Sequence, residues 1–167
     1  MSPGVGLPAE VADFMQSGLS ITLASRDERL VASIAKGVGC RIAPARDRVT
    51  VLAFAAGTER LRGDVERCGR IAVTFSQPST HRTVQVKGSD ARVRTAAAAD
   101  LALVRRHLAL FADDLRTLGW GPEFVDAAFW HEGAELLAFE FTPDCAFQQT
   151  PGPAAGHVLA VSGPAAR

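Results

Sequence analysis

The sequence predicts a mainly antiparallel β protein with helices, about six strands closing into a small barrel beside one long helix. Three observations predict it. Short stretches of apolar–polar alternation recur along the chain, separated by turn residues. Helical periodicity is sustained over one long run only. The regular strand–helix alternation of a doubly wound sheet is missing. Closing such strands on one another removes exposed edges. With 167 residues, 47% hydrophobic and 22% charged, the chain can bury one sizeable core and is short for two domains.

The elements follow in order. A short helix is expected over residues 8–17: Pro8 suits a first turn, and Glu10 and Asp13 sit near the positive end. Leu7, Val11, Phe14 and Met15 form its apolar stripe, and Gly18 stops it. The first strand, "LSITLAS" (19–25), puts Leu19, Ile21 and Leu23 on one face. After the turn "RDER" a second strand spans 30–43, where Gly37 and Gly39 mark a bulge or bend. "PARD" turns the chain into a third strand over 48–56.

Residues 58–69 read as a helix capped by Thr58, with Leu61 and Val65 on one face; Gly63 weakens it by up to ~1 kcal/mol. "RIAVTFS" (70–76) is the fourth strand, and "RTVQVKG" continues to about residue 95 as the fifth. The clearest helix spans 96–119. It steps through Ala97, Leu101, Val104, Leu108, Phe111, Leu115 and Leu118 to Gly119. "PEFVDAAFW" adds a short helix and 134–143 the sixth strand. Residues 1–150 are thus read as a single domain and 151–167 as a Pro/Gly/Ala-rich C-terminal arm.

Charge and cysteine usage exclude several classes. Eighteen basic residues balance eighteen acidic ones, so no global field favours nucleic acid or an anionic membrane, and neither is expected as a partner. Any anion site must be local. No apolar run approaches the ~20 residues that span a bilayer, and "MSPGVGLPAEVADF" lacks the pattern of a secretion signal. Cys40, Cys68 and Cys145 are odd in number and far apart, which fits idle thiols in a reducing cytoplasm and neither a disulfide framework nor a CxxC pair. Sixteen arginines stand against two lysines, Lys36 and Lys87, with no asparagine or tyrosine, as a GC-rich coding bias would give.

Familiar signatures fail one by one. "GVGCRI" has no third glycine and no following helix. "HEGAE" (131–135) has Glu where a zincin needs its second His. The histidines at 81, 107, 131 and 157 have no ligand spacing, so no metal is expected, and His107 is read as a helix-surface or boundary residue. No GxSxG elbow or self-contained catalytic group is visible.

What remains is "PSTHRTVQVKG" (78–88). Val84 and Val86 fall on one face of a strand, Thr83, Gln85 and Lys87 on the other, and Arg82 stands at the entrance. A solvated sheet surface explains that polar face, and so does a site for something anionic.

Here the chain resembles a known family. "GRIAVTFSQPSTHRTVQVKG" (69–88), the preceding "GTERLRGDVERCG", the strand "LVASIAKG" and the order of elements from about residue 8 to 143 resemble the pyridoxamine 5'-phosphate oxidase-like, FMN-binding split β-barrels. The resemblance implies a homodimer with FMN in a cleft between subunits, its phosphate gripped by basic and hydroxyl side chains. It places Arg82 and Thr83 at the family's arginine–polar pair, whose polar residue faces the flavin ring. Arg60 falls at a basic phosphate position on a helix start, and Lys36 matches a second-strand lysine. Thr58 adds a hydroxyl to that phosphate set, and Lys87, in the Lys-Gly that ends the strand, completes the cofactor-binding residues.

Leu61 stands where the family often has lysine, and "CAFQQTPGPAAG" replaces the C-terminal Trp-Arg and Arg-x-His features of the vitamin-B6 oxidases. The implied function is therefore a flavin-dependent oxidoreductase of unnamed small-molecule substrate, and not that oxidase. The alternatives are a non-catalytic dimeric module, or a barrel holding a deazaflavin or haem-related ligand.

Overall fold

In the computed structural model, residues 6–130 and 133–161 are described, the last two without side chains. Ten strands form two antiparallel sheets. The six-stranded sheet has the order β10-β9-β6-β5-β1-β2, from β1 (Ser20–Arg26), β2 (Ala32–Gly37), β5 (Ile71–Ser76), β6 (Thr83–Gly88), β9 (Cys145–Gln148) and β10 (Val158–Val161). The four-stranded sheet has the order β3-β4-β8-β7, from β3 (Gly39–Ile42), β4 (Val49–Phe54), β7 (Arg92–Thr95) and β8 (Leu136–Phe141). The fold class is as expected from the sequence, a split β-barrel with helices, but about six strands is too few.

Two of the six expected strands divide between the sheets. The run 30–43 breaks at Val38, whose N–H donates to the Leu52 carbonyl at 2.7 Å and so hands the chain from β2 to β3. Gly37 makes this corner possible. A Cβ there would lie 2.7 Å from Ile21 Cγ2 and 3.1 Å from Val51 Cγ1, one residue in each sheet. The run expected to continue to residue 95 breaks after Gly88, and β7 pairs instead with β8. β9 and β10 went unread; their sequence is short and set among prolines and glycines.

The core follows from the layers. Val49, Val51 and Ala53 of β4 point into the barrel with Leu137, Phe139 and Phe141 of β8, against Leu23, Val73, Phe75, Val84 and Val86 of the other sheet. Leu52 and Phe54 point the other way, into a second cluster beneath α3 (Asp100–Arg116) and α4 (Pro122–Phe129). Covered on both faces, β4 is buried at every position, which is why it reads as a continuous apolar run.

α1 (Ala9–Met15) covers the barrel with Val11, Phe14 and Met15. α2 (Glu59–Cys68) adds Leu61 and Val65 and ends at Gly69 in the left-handed conformation (φ 63°). On α3, Val104, Leu108, Phe111 and Leu115 are buried as their spacing predicts, whereas Leu101 and Leu118 are exposed. His107 requires a correction: it is 4% exposed, with Nε2–H donating to the Leu19 carbonyl at 2.9 Å. It faces β1 and not solvent, because the β1 end tucks against α3. His131 and Glu132 of "HEGAE" lie outside the described residues. Among the described residues, no helix is long and apolar enough to cross a membrane, and no group of His, Cys, Asp and Glu could hold a metal ion.

Candidate functional site

The outer face of the six-stranded sheet collects polar residues from β2, β1, β5 and β6. Register pairs Lys36 with Thr22, Thr22 with Thr74, Thr74 with Gln85, and Gln85 with Phe147. This row faces away from the barrel because Ile21, Leu23, Val73, Val84 and Val86, one position along, fill the core. Side-chain bonds tie it together. Lys36 Nζ donates to Thr22 Oγ1 at 3.2 Å, Gln85 Nε2 donates to Thr74 Oγ1 at 3.3 Å, and Ser76 and Thr83 hydroxyls bond at 2.5 Å. The polar face of "RTVQVKG" is thus one strip of a wider polar surface.

At the β2 end of that face lies a cleft of about 530 Å³, within the range that holds small cofactors. Ile34, Lys36 and Val38 form one side, Phe54 and Thr58 another, and Phe129 of α4 a third. Lys36 is its single charged lining residue among the described residues. Ile34, 68% exposed, is an apolar rim with nothing among the described residues over it. The cleft can therefore take a flat, largely apolar group with a polar or anionic end.

Only two of the six expected binding residues, Lys36 and Thr58, line this cleft. Thr58 is not a side-chain cap for α2; its Oγ1 donates to the Ala55 carbonyl at 2.6 Å, leaving the hydroxyl free only to accept. Arg60 sits in the first turn of α2 but reaches the β1–β2 hairpin, 3.6 Å from the Asp27 carboxylate. Glu59 lies at the same helix start and accepts from Gly57 N–H at 3.2 Å, so a carboxylate already answers part of the helix dipole there.

Arg82, Thr83 and Lys87 lie elsewhere. β6 stands three strands from β2, roughly 14 Å at the usual strand spacing. Arg82 stacks its guanidinium 4.2 Å from the Phe14 ring centroid. Thr83 donates its hydroxyl to the His81 carbonyl at 3.0 Å and its N–H to Thr150 Oγ1 at 3.0 Å. Lys87 Nζ sits 5.1 Å from the Phe147 centroid. Lys36, Thr83 and Lys87 do share the outer face, because all three alternate with core positions. Thr22 and Phe129 were missed by sequence reasoning. The alternation in "LSITLAS" already put Thr22 on the outer face, whereas nothing local shows that α4 folds back to bring Phe129 to β2.

With the geometry established, comparison with known proteins addresses the fold. No protein-family profile matches the chain, and no curated protein matches it in sequence. Among solved structures, HupZ of Group A Streptococcus is 13% identical, covering 90% of this chain and 99% of its own, with a TM-score of 0.54. An F420 reductase is 12% identical, with 84% and 98% covered and a TM-score of 0.55. A pyridoxamine 5'-phosphate oxidase-related, FMN-binding protein of Nostoc punctiforme is 8% identical, with 87% and 84% covered and a TM-score of 0.49. The split barrel described above is a fold that the chain shares with HupZ and with the F420 reductase.

Proposed function

We propose that this chain is an FMN-binding split-barrel protein acting as a flavin-dependent oxidoreductase on a small molecule, with its site completed across a homodimer. The observation that carries the reading is the split of the expected binding residues. Lys36 and Thr58 border the cleft, Arg82 and Thr83 lie three strands away, and Lys36 and Thr83 both face outward from one sheet. Two copies packed through these faces about a two-fold axis would bring one chain's Arg82 and Thr83 to the other's cleft. The exposed rim at Ile34 favours such packing.

The donor set fits FMN in part. Lys36 supplies a positive charge held in place by Thr22, while Phe54, Val38 and Phe129 supply apolar walls that exclude water. Arg60 would join only by leaving Asp27. A bound flavin supplies the hydride chemistry itself, so the chain's part is to bind, orient and place charge. Titrating FMN into the purified full chain tests the reading. Saturable quenching, with Lys36→Ala weakening affinity roughly tenfold to a hundredfold, is expected for a bond to a charged group worth about 1.5–3 kcal/mol.

A deazaflavin is the second reading. Its support is the single cation lining the cleft, since a dianionic phosphate calls for more than one charge-assisted donor and a singly charged phosphodiester for fewer. The fold shared with an F420 reductase is compatible with it. Preference for a deazaflavin over FMN in the same titration would decide for it.

A further inference from the structure

We infer that a second cleft, at the other end of the outer sheet face, is an anion site for a small molecule carrying a dianionic oxyanion, a phosphate monoester or a dicarboxylate. It has a volume of about 480 Å³. It opens one row along from the Thr22–Thr74–Gln85 line, where Ala24 pairs with Ala72 and Ala72 with Lys87. The alanines leave a low floor, and three cations rise around it: Arg26 at the end of β1, Arg70 just before β5, and Lys87 on β6.

Asp144 is the single carboxylate of the lining, so three cations against one anion leave two net positive charges. Cys145 adds no charge at neutral pH, because burial raises its thiol pKa further than neighbouring Lys87 lowers it. None of the three cations makes an ion pair among the described residues, a condition they share with other surface cations such as Arg29, Arg46 and Arg92. Cations lining one cleft favour an anion placed among them.

Local bonds hold the cations in place without neutralising them. Arg26 donates one N–H to the Asp27 carbonyl at 3.2 Å, which leaves the rest of its fork available. Ser25 Oγ donates to the Arg70 carbonyl at 2.7 Å and fixes the strand entry. Lys87 is steadied over the Phe147 ring. A ligand charge of about −2 matches the lining, and arginine forks suit phosphate and carboxylate alike. Arg26 and Arg70 stand apart from the first cleft, whereas Lys87 and the outer face itself are shared with the flavin reading and its dimer.

Calorimetry on the full chain at low ionic strength tests it, with inorganic phosphate in one arm and succinate in the other. Saturable binding of one anion per chain is expected, and the tighter arm identifies the oxyanion. Arg70→Gln and Arg26→Gln should each weaken that binding at least tenfold, while Arg70→Lys retains most of it and FMN titrations of all three stay as in the wild type. Should Arg70→Gln not fold, Arg26→Gln at the strand end carries the comparison. Absence of saturable binding in both arms overturns the inference, as do glutamine variants that bind like the wild type. So does a finding that the variants only weaken dimerisation, which would mean that partner carboxylates meet these cations.

Discussion

His107 couples the fold to pH through one side chain. Burial lowers its pKa from 6.5 to about 4, and the bond to the Leu19 carbonyl only partly opposes this. The folded pKa lies below the unfolded one, so the unfolded chain takes the proton first. The stability contributed is full above pH 6.5 and is lost as pH falls from 6.5 towards 4, by up to about 3 kcal/mol. The urea midpoint should fall over that window, and His107→Gln, which keeps a donor but does not titrate, should flatten the fall. A wild-type midpoint unchanged from pH 7 to 4.5 would contradict it.

Arg82 carries a double expectation. Its guanidinium over Phe14 means that Arg82→Ala should lower stability by roughly 0.5–1 kcal/mol besides weakening flavin binding, as chemical denaturation can show. That stabilising contact was not legible in the sequence, because Phe14 and Arg82 are distant in the chain. The outward direction of Thr83, Gln85 and Lys87 was legible, since strand alternation alone sets it.

Among elements, the strands were legible and their division between sheets was not. Alternation marks where a strand runs, but whether it leaves its sheet depends on tertiary contacts such as those of Gly37 with Ile21 and Val51. Gly88 makes the same point. In the sequence it interrupts an alternating run; in the fold it is the last residue of β6, pressed against the end of β8. A Cβ there would lie 2.5 Å from Phe141 Cδ2 and 2.8 Å from the Thr142 carbonyl oxygen. Gly88→Ala should therefore lower stability by about 1–3 kcal/mol, read as a drop in melting temperature. Val86→Ala, at a fully buried position, should cost a similar ~1–3 kcal/mol through lost core burial, with flavin affinity little changed. Both changes act on the barrel face of β6, since positions 86 and 88 alternate with the outward Gln85 and Lys87.

At the scale of the whole molecule, two of the six residues singled out in the sequence line the cleft. Lys36 and Thr58 meet at one cleft because a hairpin and the helix that follows β4 are local in the chain. Arg82, Thr83 and Lys87 could be put on a strand but not beside that cleft, because strand order is set by long-range pairing. The proposed dimer would bring the two groups together, and sedimentation should then give about twice the chain mass of 17.6 kDa. The most direct measurement of the central claim remains the fluorescence of FMN titrated with the purified full chain. The account predicts saturable quenching at one flavin per chain with micromolar or tighter affinity, weakened at least tenfold by Lys36→Ala. FMN fluorescence that stays unquenched at micromolar protein would contradict it.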